Sequence, residues 1–389
     1  MQSNGLSLDN GLAAEDRCLL LLARSRLTPE VRDRARSLLA QELSWPRILR
    51  QARVHGVFPL ISRNLEKLGF LGVPPEVCTE LTAADRLNAA RNGLFVRALT
   101  RVLKRFGEAG VPVIPLKGVA LAQSLYGDSS LRVCSDVDIL IQRRAVAQAF
   151  DLLLSDGYER GEAHVEPSDI ELLLHSNIEY GFVTKAGRVP SLLELHWDIA
   201  WRWRGDSAAP DDLWAEAERR EFWGVDAYAL STEWEILYLA VHAARHRWQA
   251  LKWLVDIHEA CSVRAVDWAK LGDKAKRLGW EEVLGVTLSI CHALLGTPVP
   301  DELARRDPPR WLRVFPESPA QPGLWQEALV ATRLLGGLSA KLAYLGRLLF
   351  LPTIRERQLL RLPFPIDLLY YPMRPLRLAG RWSSRNHGG

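Results

Sequence analysis

Ser135-Asp136-Val137-Asp138-Ile139-Leu140-Ile141 is the stretch on which the fold turns. Its apolar residues make a run short enough to be a buried strand. Two aspartates stand at its leading end. Side chains two apart on a strand share a face, so Asp136 and Asp138 stand side by side. Carboxylates that close repel, and one keeps its proton unless a cation neutralises the pair. A divalent metal is the usual remedy, and oxygen ligands suit Mg²⁺. Asp-x-Asp alone is a weak signal, because surface loops produce it often. Here it opens an apolar strand and follows a Lys-Gly turn.

Working outward, Val111-Pro112-Val113-Ile114-Pro115-Leu116 is a second apolar run that ends in Lys117-Gly118, a strand followed by a turn. Val119 to Tyr126 has helical character, and Gly127-Asp128-Ser129-Ser130 is a loop. After the Asp-x-Asp strand, Ala145 to Asp156 reads as a helix closed by Gly157. Ile178 to Thr184 and Ser191 to Leu195 are further strands, joined by a turn at Lys185-Ala186-Gly187-Arg188. Both flanks are helical in periodicity. Residues 12–105 break near Leu27-Thr28-Pro29, Ser44-Trp45-Pro46 and Val73-Pro74-Pro75, and Ala83 to Gly107 is one long amphipathic helix. From Asp211 onward the pattern predicts helices again, with Thr232 to Ala244 and Trp248 to Ser262 the strongest. Twelve of the fourteen Trp lie between Trp197 and Trp325, which at helical spacing reads as core.

The expected fold is α+β: a small mixed-sheet core at residues 108–205, a helical region at 1–107, a helical domain at 206–330 and a basic amphipathic tail at 331–389. At 389 residues, 48% apolar and 25% charged, the chain is long enough for such cores and too apolar for general disorder. Its net charge of +4 gives no strong nucleic-acid signal. The charge is uneven. From Ala331 to Gly389 ten Arg or Lys face two acids, Glu356 and Asp367. A basic tail of this kind can meet an acidic partner or an anionic membrane surface, or be a solvated helix face. Five scattered cysteines without a Cys-x-x-Cys pair, and a beginning without signal-peptide layout, fit a cytoplasmic setting. Glu327 to Leu351 is greasy, but Arg333, Lys341 and Arg347 interrupt it, so it reads as an amphipathic helix rather than a membrane span.

The order of motifs resembles the nucleotidyltransferase superfamily, which has the DNA polymerase β-like fold, and more closely its bacterial branch of uncharacterised nucleotidyltransferase family proteins. The matching stretches are Leu116-Lys117-Gly118-Val119-Ala120-Leu121, Leu125-Tyr126-Gly127, Arg132, Asp136-Val137-Asp138-Ile139-Leu140, Gly157-Tyr158 and Glu194-Leu195-His196-Trp197. His242, His246, Lys252-Trp253-Leu254-Val255-Asp256 and Asp267-Trp268 follow. The likeness covers roughly residues 40–300. The wider superfamily has a Gly-Ser or Gly-Gly turn with its aspartates closer behind; here Asp136 lies 18 positions beyond Gly118. The resemblance implies Mg²⁺, with Mn²⁺ as substitute, held by Asp136, Asp138 and a third carboxylate on a later strand.

Glu194 is the choice for that third acid, since its apolar neighbours bury the strand; Asp198 is the rival. His196 shares Glu194's face and either lines the site or is structural. Gly118 at a strand-to-helix turn exposes N–H groups that can receive phosphate oxygens, and Lys117 adds a charge. Only nine Lys stand against 41 Arg, so a Lys at this turn stands out. Arg132 contacts phosphate or pairs with an acid. His242 and His246, four apart, line a nucleotide cleft or hold zinc, although no Glu follows His242 as in metalloproteases. Lys252 reaches the nucleotide or pairs with Asp256 one turn on. P-loop, nucleophile-elbow and Rossmann glycine patterns do not occur.

The implied reaction is transfer of a nucleoside monophosphate from a nucleoside triphosphate, ATP foremost, to an acceptor such as a peptide, sugar or protein. Two other classes compete: a silent accessory protein of a peptide or polysaccharide biosynthetic cluster, and a kinase-like phosphoryl transferase. Two adjacent repelling charges favour an enzyme over a scaffold.

Overall fold

The structure is a computed structural model that describes residues 12–161, 165–184, 191–200, 211–303, 323–362 and 366–386. The chain begins with helices α1 (Ala14–Leu22), α2 (Pro29–Leu39), α3 (Trp45–Val54), α4 (Phe58–Lys67) and α5 (Pro75–Glu108). Next come β1 (Val113–Pro115), α6 (Gly118–Tyr126), β2 (Val137–Ile141), α7 (Val146–Ser155), β3 (Tyr158–Arg160) and α8 (Ile170–Ser176). They lead to β4 (Glu179–Thr184), β5 (Ser191–His196), α9 (Asp211–Ala215), β6 (Glu218–Phe222) and β7 (Val225–Ala229). The last part holds α10 (Thr232–Arg245), α11 (Leu251–Val263), α12 (Trp268–Leu278), α13 (Glu281–Leu295), α14 (Leu324–Leu334), α15 (Leu338–Phe350), α16 (Ile354–Leu359) and α17 (Tyr370–Asn386).

These elements form two compact units, each discontinuous in sequence. The first comprises residues 1–100, 116–135 and 230–334; the second comprises 101–115, 136–229 and 335–389. The expected α+β class holds: one mixed sheet accompanied by helices.

The first unit is helical, and its ends are chemically marked. Thr28 accepts from the Val31 N–H with Pro29 in the first turn of α2, and Asp267 caps α12 through Lys270. α6 and α12 stop on left-handed Gly127 and Gly279. Trp234, Trp248 and Trp280 are buried to 1% or less, as the tryptophan pattern predicts, and Trp248 donates its indole N–H to Thr287 at 2.9 Å.

The second unit holds a five-stranded sheet in the order β1-β2-β5-β4-β3. β2 and β5 run parallel, and the other neighbours are antiparallel. The strands expected at 111–116, 137–141, 178–184 and 191–195 appear in it as β1, β2, β4 and β5. The turn expected at 185–188 falls outside the described residues. Tyr180 and Phe182 alternate onto one face of β4 and meet Phe150 of α7 at centroid distances of 5.1 and 4.8 Å. That aromatic cluster supports the sheet from one side.

Two expectations need correction. The helical reading from Asp211 onward fails at β6 and β7, which form an antiparallel hairpin beside β1. Its turn is Trp223-Gly224, both at positive φ, which matches the right-handed twist of a two-residue hairpin. The charged run Glu218-Arg219-Arg220-Glu221 masks any alternation. Similarly, the single helix expected at Glu327 to Leu351 is two, α14 and α15, broken at Gly336-Gly337. Gly337 has φ +76°, which ordinary residues rarely adopt.

Candidate functional site

The parallel pairing of β2 with β5 puts Asp138 opposite Glu194 and Leu140 opposite His196. Residues in register share a sheet face, as do residues two apart. Asp138, Glu194 and His196 therefore emerge on one face, while Ile139 and Leu195 point to the other. β4 completes the set, because its Glu179 lies directly opposite His196.

The side chains converge as the register requires. Ligand atoms of Asp138, Glu194 and His196 all lie within 4.8 Å of one another. His196 Nε2 is 3.2 Å from Asp138 Oδ1 and 3.7 Å from Glu194 Oε2, and its Nδ1 is 3.2 Å from Glu179 Oε2. Asp138 and His196 are buried, with 0% and 4% of their side chains exposed; Glu194 is 26% exposed. The cluster thus has a sealed floor, Asp138 and His196, and two partly exposed carboxylates, Glu194 and Glu179.

Burial opposes a charge on His196, but the hydrogen bond to Asp138, the charge of Glu179 and the hydrogen bond to Glu194 outweigh it, raising its pKa to about 9. The imidazolium supplies one positive charge to three carboxylates. That excess of anions on one sheet face suits a divalent cation, and the carboxylate oxygens suit Mg²⁺ or Mn²⁺.

Asp136 lies on the bend before β2, half-buried. It is not among the three residues whose ligand atoms converge. Asp198, the rival third acid, accepts from the N–H groups of Ile199 and Ala200 at 2.7 and 3.3 Å. It shapes the turn after β5, whereas Glu194 stands beside Asp138.

The first unit gathers a basic set. Lys117 precedes α6, and Gly118 opens it at φ +66°, a backbone geometry that favours glycine. Arg132 takes the acid-pairing alternative: its Nε donates to both Asp256 oxygens, at 3.2 and 3.0 Å. Tyr126 donates to the same carboxylate at 2.6 Å. Burial works against the Arg132 charge, but Asp256 outweighs it and the guanidinium stays protonated. Asn88 and Asn92 of α5 hold the Arg132 carbonyl. With Asp256 so engaged, Lys252 Nζ donates to the Val133 carbonyl at 3.3 Å. Its stem passes over Gly56, where an added Cβ would come within 2.8 Å of Lys252 Cδ.

His242 and His246 sit 4.8 Å apart with Trp253 against both rings, at 5.5 and 4.9 Å. Burial, then the charges of Lys117, His246, Arg245 and Arg132, push His242 well below the usual imidazole range. A neutral His242 surrounded by cations marks a region of positive potential. Among the described residues the two histidines gather no third metal-ligating side chain, so the zinc alternative finds no support.

Sequence reasoning missed Glu179 and left His196 undecided. Only the strand register could find Glu179, because nothing in the chain between 179 and 196 marks the two as partners.

No curated protein matches this sequence. The crystal structure of an antigenic nucleotidyltransferase-like protein from Paracoccidioides brasiliensis is similar at 16% identity, over 55% of this chain and 97% of that one. Its TM-score is 0.33, and a likeness that loose says nothing about activity. The family described as uncharacterised nucleotidyltransferase matches residues 41–296. That span contains the Asp138–Glu194–His196 cluster and the basic set around Lys117, and the chain belongs to that family.

Proposed function

We propose that the protein is a divalent-metal-dependent nucleotidyltransferase that moves a nucleoside monophosphate from a nucleoside triphosphate, ATP foremost, to an acceptor hydroxyl or phosphate. The observation that carries this reading is the register of β2 on β5, which sets Asp138 against Glu194 on one face of the sheet. Asp138, Glu194 and Asp136 are the proposed metal ligands and catalytic residues. The metal, Mg²⁺ or Mn²⁺, would neutralise phosphate charge and favour deprotonation of the acceptor.

The chain's own groups divide the remaining work. Glu194, a proposed metal ligand more exposed than Asp138, is the group able to take the acceptor's proton. His196 is a positioning residue: Nε2 fixes the Asp138 carboxylate, and Glu179 fixes Nδ1. Lys117, Gly118, Lys252, His242 and His246 are the proposed nucleotide-binding groups of the first unit. The backbone N–H at Gly118 and the Lys117 ammonium suit phosphate oxygens. Arg132, already bound to Asp256, acts there by holding the Arg132-Val133 segment that receives Lys252.

The test is calorimetric titration with ATP, with and without Mg²⁺ or Mn²⁺, followed by product mass after incubation with candidate acceptors. Metal-dependent binding and an added nucleoside monophosphate support the reading. An added phosphate alone would transfer it to kinase-like chemistry. Absence of nucleotide binding with either metal would leave the accessory-protein reading.

A further inference from the structure

Tyr238, His242 and His246 follow one another along α10 and its C-terminal cap at spacings of four. Side chains four apart on a helix lie one above the other, so the rings meet in series. Tyr238 and His242 are 6.0 Å apart between centroids, and His242 and His246 are 4.8 Å apart. The row runs from inside to outside: Tyr238 is buried, and His246 is half-buried. Trp253, in the first turn of α11, closes it. Its indole is stacked on His246 at an interplanar angle of 28° and stands across His242 at 83°. The three centroid distances are nearly equal, so neither imidazole covers the far face of the indole.

Core packing accounts for Tyr238 but not for Trp253. Trp234 and Trp280 of the same unit are sealed, and Trp248 is sealed with its N–H bonded to Thr287. Trp253 is half-buried, and among the described residues its indole N–H is neither hydrogen-bonded nor buried. An indole that keeps part of its surface and its N–H open offers a flat ligand a stacking face with a donor at the edge. The charge beside it narrows the ligand. α11 packs on α6, whose first residue is Gly118 with Lys117 before it. After burial, the charge of Lys117 is the strongest influence holding His242 neutral, so the ammonium and the rings share one neighbourhood of the first unit. A flat ring system joined to an anion fits both.

We infer that Trp253, backed by His246, is the platform on which the base of the nucleotide stacks, and that the site takes a purine nucleoside triphosphate. A purine has two fused rings and covers more of an indole than a pyrimidine does, and stacking strengthens with the area covered. His246 holds one face of the indole, so the platform is set before the base arrives. This inference rests on the nucleotidyl-transfer reading, since it places the triphosphate at Lys117 and Gly118.

The experiment is calorimetric titration of the full chain, in Mg²⁺ and in Mn²⁺, with ATP, GTP, CTP, UTP and ribose 5-triphosphate. The last carries the same triphosphate without a base. ATP should bind about tenfold or more tighter than ribose 5-triphosphate, and ATP and GTP about fivefold tighter than CTP and UTP. Trp253→Leu should weaken ATP by about tenfold and leave ribose 5-triphosphate unchanged. Trp253→Phe keeps a ring and should recover part of that loss. Circular dichroism checks the fold of both variants, and the unmodified chain decides the question by itself if Trp253→Leu does not fold. Equal affinity for ATP and ribose 5-triphosphate overturns the inference. So does a Trp253→Leu change that weakens both ligands alike, which is the mark of a structural residue. CTP or UTP binding as tightly as ATP overturns the purine assignment. Binding of none of these triphosphates with either metal overturns the nucleotidyl-transfer reading itself, whereas ATP binding that ignores the base leaves that reading standing and removes only this inference.

Discussion

Acidification should unlatch α11 through a single buried imidazole. His55 is fully buried at the end of α3. Its Nδ1 accepts from the Leu251 N–H at 3.3 Å, and its carbonyl accepts from the Lys252 N–H at 3.1 Å. Those are two of the donors that the first turn of α11 cannot satisfy within the helix. An Nδ1 that accepts cannot carry a proton, so this arrangement requires the neutral ring. Burial depresses His55 to about 4, against the opposing pull of Asp16 and the Gln249 carbonyl. The sign follows directly. A depressed folded pKa means that the unfolded chain takes up the proton first, so the stabilisation is complete above pH 6.5 and is lost as pH falls towards 4. At about 1.4 kcal/mol per pH unit, that gap is worth about 3 kcal/mol. Urea unfolding followed by circular dichroism at neutral pH and near pH 4 measures the loss. His55→Gln keeps an acceptor without the titration, so its loss should be smaller by about 3 kcal/mol. Equal losses in the two proteins would refute the reasoning, as would an NMR titration of the His55 ring at an ordinary imidazole value. On the proposed nucleotide-binding role of Lys252, acidification should also weaken ATP binding, because α11 carries that residue.

Three further outcomes follow from the geometry. Asp138→Asn should lower metal-dependent turnover by about a hundredfold or more, and in chelator it should lower the unfolding midpoint, because a buried imidazolium loses one of its two nearest anions; full activity in this variant would remove Asp138 from the site. Asp256→Asn should cost about 3–5 kcal/mol in urea unfolding, since Arg132 is left charged and buried without its carboxylate; a cost below about 1 kcal/mol would mean that water reaches the guanidinium. Gly56→Ala combines strain at φ +67° with displacement of Lys252, so it should destabilise by about 1–2 kcal/mol and weaken ATP binding; unchanged affinity would take Lys252 out of the nucleotide-binding set.

The sequence by itself determined the features whose signal is local. The apolar run at Val137–Ile141, the turn at Lys117-Gly118, the break at Leu27-Thr28-Pro29, and the periodicity of α5, α10 and α11 are carried by residues within a few positions of one another. Side-chain alternation and backbone preference act over that range, so one sequence suffices to read them. The choice of Glu194 came from strand character joined to the family resemblance. Only the tertiary structure decided which chemistry meets which. Arg132 was open between phosphate and acid, and it chose Asp256, 124 positions away. Lys252 had Asp256 within one helical turn, yet it donates to Val133, because Arg132 and Tyr126 already occupy that carboxylate. Glu179 entered the acidic cluster because antiparallel pairing set β4 opposite β5 in that register. Register is fixed by packing of whole strands against α7 and one another. A shift of one residue would turn Asp138 and Glu194 into the aromatic core and expose Ile139 and Leu195. No short stretch of the chain contains that constraint, since it exists only when distant segments are buried together.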